Sequence, residues 1–321
     1  MTACTVAIPV YNQRVYVERA LRSVLAQNLP GIQVLVVDNQ SDDGTWEVLQ
    51  PFAAGGVILQ RNASNLGLFG NFNRCLELAA TPYLRILAGD DMLVPGCLEL
   101  EIALMERHPQ LAMLSTRGRY VGPNGAALGD FACEFPPGIY AGQGFARKWF
   151  EYYARYRSNP LNYPSGVLFR RAAIGEQRFE PSLRTAGDID FYFRVLRRGD
   201  LGITDLHGCD VTRHPGQAHV GPNLDGTAIR EQLALVDRFI EGPPRAALRK
   251  YLAGTCLALA LRRYGRAESR PSSKIHLRLA AEISPNPVAS AFGLLTLAAC
   301  RAARGVAGRR APYMPRPVSP L

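Results

Sequence analysis

The sequence lacks the features expected of a secreted or membrane-spanning protein. Its seven cysteines include no Cys-x-x-Cys pair and their number is odd, so we expect reduced thiols in a cytoplasmic protein. The first residues, MTACTVAIPVYN, contain neither a basic segment nor a cleavage site of small residues, and they predict no secretory signal. The uncharged apolar run at 287–300 has about 14 residues, fewer than the roughly 20 that a spanning helix needs.

Lysine is also scarce, at 3 of the 37 basic residues, and the positive charge is concentrated at one end of the chain. Residues 241–321 hold 14 Lys+Arg and 3 Asp+Glu, a net +11, whereas the whole chain carries +10. A cationic region with apolar helix faces favours peripheral contact with an anionic membrane surface. The alternative is a solvated basic face on helices that support the rest of the protein.

Apolar residues form 47% and charged residues 20% of the 321-residue chain, which is typical of a globular protein with a hydrophobic core. In the first 120 residues, short β-branched runs alternate with segments of helical periodicity. The predicted strands are 4–10, 32–38, 55–61 and 83–88, and the predicted helices are 17–28, 41–52, 67–80 and 96–109. This alternation predicts an α/β fold with a doubly wound, mostly parallel sheet and helices on both faces.

The rest of the chain divides into three parts. Residues 121–165 are rich in loop residues around an aromatic helix at 145–156, and loops of this length are usually functional. A strand at 166–171 and a helix at 188–199 follow. We therefore expect an α/β domain over 1–225, a C-terminal helical extension over 226–285, and an apolar stretch with a disordered, basic, Pro-rich tail over 286–321.

Two adjacent carboxylates, Asp90 and Asp91, follow the strand in YLRILAGDDMLVPG. Like charges at this separation repel, so one of them resists ionisation unless a positive charge lies beside it. They are either turn or helix caps, or oxygen ligands of a divalent cation. Asp38 and Asn65 also lie at or just after strand ends, and ligands of such sheets bind outside the carboxyl ends of the strands. Several polar sites at successive strand ends favour a ligand.

Five segments occur in a characteristic order: VAIPVYN at 6–12, VLVVDNQSDDGT at 34–45, NASNLGLFGNFN at 62–73, LAGDD at 87–91 and GDIDFYFRVLRRG at 187–199. In this order and spacing, residues 4–220 resemble the family 2 glycosyltransferases, which are inverting nucleotide-sugar enzymes with the GT-A fold. Any one segment is weak evidence, because paired aspartates are common, but the ordered set is specific.

The resemblance implies a role for each matching residue. Asp38 would accept a hydrogen bond from the imide N–H of uracil or thymine. Asp91, with His214 of VTRHPGQAH near the diphosphate, would hold Mg²⁺ or Mn²⁺, and Asp188 would be the catalytic base. The remaining nucleotide-sugar contacts would come from Pro9, Tyr11, Asn12, Asn65, Gly67 and Asp90.

The chemistry of sugar transfer explains these residue types. A nucleoside diphosphate leaves readily only if its developing charge is neutralised, which a bound divalent cation does as a Lewis acid. An acceptor hydroxyl is a weak nucleophile, so a carboxylate must take its proton. The resemblance thus predicts a metal-dependent transfer of one sugar from a UDP- or dTDP-sugar to a glycan or lipid-linked acceptor, at the cytoplasmic face of a membrane, in surface glycan assembly.

The sequence departs from the family pattern at two places. Many relatives have a further acid two positions before Asp90, where this chain has Ala88, and many have Glu before the base, where this chain has Gly187. Asp190 is therefore an alternative base. Each assignment also has a structural alternative: turn formation for Asp38 and Asn65, packing for Tyr11, helix capping for Asp188 and a surface position for His214.

Three other functions fit the sequence less well. A nucleotidyltransferase would need a Gly-rich loop with Arg and Lys after the first strand, where this chain reads PVYNQRVYVERA. A processive polysaccharide synthase would need transmembrane helices and a Gln-x-x-Arg-Trp element. A nucleic-acid-binding protein without catalysis would explain the basic region alone, and it lacks an aromatic platform, so we expect no nucleic-acid partner.

Overall fold

The computed structural model describes residues 4–27, 29–131, 135–156, 159–215, 225–264, 270–284 and 316–321. Among these residues the strands are β1 Cys4–Val10, β2 Ile32–Asp38, β3 Ile58–Arg61, β4 Tyr83–Ile86, β5 Met92–Leu93, β6 Leu111–Val121, β7 Ala127–Phe131, β8 Gly138–Tyr140, β9 Val167–Arg170 and β10 Asp200–Thr212.

The α-helices that precede β10 are α1 Val17–Leu25, α2 Thr45–Leu49, α3 Gly67–Leu78, α4 Cys97–Arg107, α5 Phe145–Tyr156, α6 Arg171–Ile174 and α7 Gly187–Val195. Three helices follow in the C-terminal part: α8 Thr227–Phe239, α9 Pro243–Tyr264 and α10 Arg270–Ile283. None of the helices within the described ranges has both the length and the hydropathy to cross a bilayer.

The strands form one mixed sheet in the order β3-β2-β1-β4-β9-β6-β10-β5, with β7 added beside β6 and β8 beside β10. Parallel pairing predominates along this order, because β3, β2, β1 and β4 are all parallel and β10 is parallel to β6. Strand β9 runs antiparallel between β4 and β6. The predicted mostly parallel α/β sheet with a helical C-terminal part is confirmed.

Successive residues of β1 point to opposite faces of the sheet, as the pleat requires. Val6 and Ile8 belong to the hydrophobic cluster that includes Leu21 of α1 and Met105 of α4. Ala7 belongs to the cluster on the other face, which includes Phe72 of α3 and Phe191 of α7. Helices therefore cover both faces, which explains why the first strands read as continuous apolar runs.

Strands β6, β7, β8 and β10 are not among the sequence-based predictions, and the predicted loop region 121–165 contains two of them. Strand β10, DLGITDLHGCDVT, includes Gly, Asp and His, which are poor strand formers, and its pairing with β6 joins residues far apart in the chain. Its position in the sheet thus depends on tertiary pairing rather than on local preference.

The sequence predicts a disordered C-terminal tail, and the last six residues differ from this prediction. The Val318 N–H donates to the Ile139 carbonyl (2.6 Å) and the Ile139 N–H to the Ser319 carbonyl (2.8 Å), so 316–321 lies along β8 instead of being disordered. The apolar stretch 287–300 and most of the basic tail lie outside the described residues.

Candidate active site

The carboxyl ends of β1, β2 and β4 meet at one edge of the sheet. Val10 is in register with Asp38, and Ala7 with Ile86, so the segments that follow these strands begin side by side. The Asn39 N–H donates to the Val10 carbonyl (2.8 Å), and the Leu87 N–H to the Ala7 carbonyl (2.9 Å). The predicted donor and acidic segments therefore start at a common edge.

Asp38 is fully buried at the end of β2. Its Oδ2 lies 3.0 Å from Arg61 Nε at the end of β3, and its carboxylate accepts the Ser41 N–H at 3.3 Å. The Arg61 side chain is about one-third exposed, and its guanidinium lies over the Trp46 ring. Asp38 thus fixes the turn after β2 and carries a charge that Arg61 partly neutralises.

The segment after β1 is fastened to the segment after β2. The Asn12 N–H donates to Ser41 Oγ (2.9 Å), and Asn12 Oδ1 accepts the Asp42 N–H (3.0 Å). Asn12 has φ 53°, a left-handed conformation in which Asn is common. Pro9 is buried within β1, whereas the Tyr11 side chain is 45% exposed. Of these three predicted pocket residues, Tyr11 presents a large surface to a ligand.

Asn65 and Gly67 belong to an asparagine network that sequence reasoning missed in part. Asn39 Nδ2 donates to Asn65 Oδ1 (2.8 Å), and Asn65 Oδ1 also accepts the Gly67 N–H (2.8 Å). Asn62 Nδ2 donates to both Asn39 Oδ1 and Asn71 Oδ1 at 2.9 Å. Gly67 has φ 74°, which a residue with a side chain adopts at a cost. The network holds the start of α3 at the edge of the sheet.

The paired carboxylates have different surroundings. Asp91 Oδ2 accepts the Ser165 hydroxyl (2.6 Å) and Oδ1 accepts the Thr212 N–H (2.9 Å). Burial raises the pKa of Asp91 well above its ordinary value, and the neighbouring Asp90 raises it further. Asp90 Oδ2 lies 2.9 Å from His214 Nε2. The structure therefore pairs His214 with Asp90, while Asp91 joins the loop before β9 to the end of β10.

Two further groups support this pair. The His214 ring stacks on Tyr16 with centroids 4.7 Å apart, and Arg19 Nη2 donates to Thr212 Oγ1 (2.8 Å). Below the site, Arg85 forms a fully buried ion pair with Glu101 and donates to the Ser165 carbonyl (2.6 Å). Arg85, which is paired with Glu101, thus fixes Ser165, whose hydroxyl donates to Asp91.

The donor set fits a divalent cation that the nucleotide helps to bind. Asp90 Oδ2 and His214 Nε2 are close enough for neighbouring coordination positions on one ion. No group of three His, Cys, Asp or Glu side chains within the described ranges forms a protein-only metal cage. Mg²⁺ is usually bound by one or two carboxylates plus substrate phosphates and waters, so two protein donors are sufficient.

Asp188 lies in the first turn of α7, with its Oδ1 accepting the Ile189 N–H (2.8 Å). Burial raises the pKa of Asp188 to about 6, and the charge of Glu231 adds to the effect. A carboxylate with such a pKa is a suitable general base near neutral pH. Asp190 is different, because Arg194 (2.7 Å) and Arg238 (2.8 Å) already bind its two oxygens. The geometry therefore favours Asp188 over Asp190.

The glycine before Asp188 has a steric role. A Cβ at Gly187 would lie 2.4 Å from the Phe69 ring of α3, which real side chains do not tolerate. The start of α7 thus packs directly against the start of α3, next to Asn65 and Gly67. A side chain such as the glutamate of the family pattern would therefore not fit at position 187 without a shift of Phe69.

Comparison with known proteins identifies the family of this chain. The family model described as glycosyl transferase family 2 matches residues 5–178. MT1568 of Mycobacterium tuberculosis is 28% identical over 65% of this chain and 66% of its own length. The Bacillus subtilis glycosyltransferase TuaG, named for teichuronic acid biosynthesis, is 27% identical over 61% of this chain and 72% of its own.

A third relative is the Escherichia coli enzyme WfaP, a UDP-Glc:alpha-D-GlcNAc-diphosphoundecaprenol beta-1,3-glucosyltransferase. It is 26% identical over 33% of this chain and 42% of its own length. The chain thus spans less than two thirds of the length of MT1568 and of WfaP.

Solved structures share the fold. Staphylococcus aureus TarS 1–349 in complex with UDP-GlcNAc superimposes with a TM-score of 0.63 at 15% identity, over 98% of this chain and 99% of TarS 1–349. The mannosyltransferase PcManGT of Pyrobaculum calidifontis, in complex with GDP-Man and Mn²⁺, gives 0.56 at 18% identity, over 92% and 79%. These likenesses confirm the predicted GT-A fold. Because the family model covers more than half of its residues, this chain belongs to glycosyl transferase family 2.

Proposed function

We propose that this protein transfers one sugar from a UDP- or dTDP-sugar to an acceptor hydroxyl, with inversion at the anomeric carbon. The observation that supports this most is that Asp38 lies at the end of β2 and Asp90, paired with His214, lies shortly after β4, where β2 and β4 are the two parallel neighbours of β1. Gly187, next to Asp188, packs against Phe69 near the start of α3. Family membership favours this function over nucleotidyl transfer and over a non-catalytic binding role.

In this proposal Asp188 takes the proton of the acceptor hydroxyl. The hydroxyl oxygen forms a bond to the anomeric carbon while the bond from that carbon to the diphosphate oxygen breaks, and the nucleoside diphosphate leaves with the bonding electrons. One in-line displacement of this kind inverts the anomeric centre. Because the pKa of Asp188 is about 6, the carboxylate is mostly ionised at neutral pH and ready to accept the proton.

Asp90 and His214 would hold Mg²⁺ or Mn²⁺ together with the diphosphate, and Asp91 would fix the loops around them. The bound ion supplies Lewis-acid stabilisation of the charge that develops on the leaving group. PcManGT, with a similar fold, is known with Mn²⁺ bound. The His214 ring stacks on Tyr16. Thr212 of β10 donates its N–H to the Asp91 carboxylate and its hydroxyl to the Asp90 carbonyl.

The acceptor is proposed to be a lipid-linked glycan at the cytoplasmic face of a membrane, in the assembly of a surface polysaccharide. The names of TuaG and WfaP support this setting, since WfaP acts on a diphosphoundecaprenol acceptor. The +11 charge of residues 241–321 supports contact with an anionic membrane surface, where each basic residue contributes about 1 kcal/mol.

We expect UDP to bind at least about tenfold more tightly than ADP, because uracil has an imide N–H for Asp38 and adenine has none. Hydrogen bonds to charged groups contribute about 1.5–3 kcal/mol, which sets this scale. Because Asp38 is buried and paired with Arg61, uracil must displace part of the Arg61 side chain to reach the carboxylate. Titration calorimetry with UDP, dTDP and ADP in the presence of Mn²⁺ measures the preference.

Asp38→Ala should remove most of that preference, whereas Asp42→Ala, at an exposed position of the same loop, should preserve it. Equal affinity of the unmodified protein for UDP and ADP would eliminate the role of Asp38. In parallel, nucleotide release from a panel of UDP-, dTDP- and GDP-sugars tests the proposed function itself, and release from none of them counts against it.

A further inference from the structure

A carboxylate of the C-terminal part is bound to the segment directly before Asp188. Glu231 of α8 is buried, and its Oε1 accepts the Arg184 N–H at 2.6 Å. Its Oε2 accepts the Thr185 N–H (2.8 Å), the Thr185 hydroxyl (2.7 Å) and the Ala186 N–H (2.9 Å). Three consecutive backbone N–H groups therefore converge on one side chain.

Hydrogen bonds to an ionised carboxylate are roughly twice as strong as neutral ones, so this cluster fixes the backbone of 184–186 firmly. Asp188 begins two residues after the last of these donors, in the first turn of α7. The position of Asp188 therefore depends on a residue 43 positions later in the chain, beyond the 5–178 region that the family model matches.

A second contact between the same two helices adds to the first. Arg238 Nη1 donates to Asp190 Oδ1 at 2.8 Å. Glu231 and Arg238 are seven residues apart, which is about two helical turns, so they lie on the same face of α8. Helix α8 thus holds α7 at the segment before its first turn and again at Asp190. Leu235 and Val236 of α8 join the same hydrophobic cluster as Phe193 of α7.

We propose that Glu231 is a positioning residue for the base of the transfer reaction, acting by holding the 184–186 segment from which α7 and Asp188 begin. The inference rests on the proposed role of Asp188. In this proposal α8, in the C-terminal helical extension, contributes to the geometry of the active site and does not only pack against the rest of the protein. Glu231 itself does not touch the substrate.

The charge of Glu231 gives this role a measurable signature. Within the described residues, burial and the charge of Glu231 of α8 raise the pKa of Asp188, and burial and Asp188 in turn raise the pKa of Tyr192, which lies one turn further along α7. A negative charge nearby disfavours ionisation of Asp188 and raises its pKa. Removing that charge should therefore lower the pKa of Asp188. At low pH, kcat rises as the base loses its proton, so this part of the pH profile should move to lower pH.

The test compares Glu231→Gln with Glu282→Gln. Gln keeps the shape of Glu but replaces one acceptor oxygen with an NH₂ group, so at least one backbone N–H of 184–186 loses its partner. Glu282 is a matched control, because it is an exposed glutamate of the same C-terminal helices, 3.9 Å from Arg230. UDP release from UDP-glucose and UDP-N-acetylglucosamine gives kcat and KM as functions of pH.

We expect Glu231→Gln to lower kcat by up to about a hundredfold, the scale expected for misplacement of a reacting group by 1 Å. The KM for the donor should change little, and the low-pH limb should shift downward, while Glu282→Gln matches the unmodified enzyme. A purely structural role would lower the melting temperature and kcat at all pH values without moving the limb, and this outcome would overturn the proposal. Unchanged kcat would overturn it as well.

Thr185→Val provides a gentler variant if Glu231→Gln does not fold. It removes only the hydroxyl donor to Glu231, and a lost hydrogen bond of about 0.5–1.5 kcal/mol predicts a fall in kcat of roughly two- to tenfold. No fall in a folded Thr185→Val would contradict the proposal.

A readout independent of turnover separates this inference from the proposed function. Carbon-13 NMR of labelled aspartate carboxyls, with the Asp188 signal assigned by its loss in Asp188→Asn, gives the pKa of Asp188 directly. We expect a value of about 6 in the unmodified protein and a lower one in Glu231→Gln. If the pKa of Asp188 shifts as expected but no nucleotide is released, the proposed function is refuted, whereas the effect of Glu231 on Asp188 stands. Nucleotide release without the shift would refute the role of Glu231.

Discussion

Replacing Asp188 with Asn is expected to lower kcat by roughly 10²–10⁴-fold, with little change in affinity for the nucleotide-sugar. Asn keeps the size of the side chain and can still accept the Ile189 N–H, but it cannot take the acceptor proton. In the unmodified enzyme kcat should rise as the pH increases through about 6, because the base acts only when it is deprotonated. The Asp188→Asn variant should not show this rise of kcat with pH.

Asp190→Asn is the matched comparison on the same helix. Its carboxylate is bound by Arg194 and Arg238, so its loss should reduce thermal stability more than it reduces kcat of the folded enzyme. If instead Asp188→Asn lowers kcat by less than about tenfold and Asp190→Asn abolishes turnover, the base is Asp190.

Removal of divalent cations is expected to abolish turnover, with a loss of at least about a thousandfold, because Lewis-acid stabilisation of the leaving group is worth several kcal/mol. Addition of Mn²⁺ or Mg²⁺ should restore it. Asp90→Asn should weaken binding of Mn²⁺ in the presence of UDP, which the electron paramagnetic resonance signal of free Mn²⁺ measures. Asp205→Asn, at an exposed position in β10, should bind Mn²⁺ as the unmodified protein does. Full activity in excess EDTA would exclude the metal role.

Local sequence patterns predict much of this fold and part of its candidate site. The end of β2 at Asp38, the acidic pair shortly after β4 and the helix that begins beside Asp188 follow from apolar runs and polar residues within a few positions of each other. The first four strands and their helices follow in the same way. Such features require no knowledge of distant partners.

The remaining features depend on contacts between distant parts of the chain. Asp91 is held by Ser165 and Thr212, which are 74 and 121 residues away, and neither belongs to a recognisable motif. In the sequence Glu231 resembles any polar residue of an amphipathic helix. Only the fold brings it into contact with its hydrogen-bond donors, which lie 45 to 47 residues earlier in the chain. Strand β10 carries Gly, Asp and His, and its pairing with β6, β8 and β5 holds these poor strand formers in an extended conformation.

The family resemblance predicts that His214 acts with Asp91 at a metal site. In the structure the His214 imidazole lies 2.9 Å from Asp90 Oδ2. Asp91 is directed instead to Ser165 and Thr212. Adjacent residues in a turn point in different directions, and the sequence alone gives no indication of which carboxylate faces the histidine.

A crystal structure of the protein with UDP and Mn²⁺ tests the central claim most directly. The account predicts an anomalous Mn²⁺ peak in contact with Asp90 and His214 and with the diphosphate, uracil beside Asp38 and Tyr11, and the Asp188 carboxylate open to the acceptor side of the same crevice. Mn²⁺ and UDP bound elsewhere, or UDP bound at this edge with Asp188 directed away from it, would contradict the account.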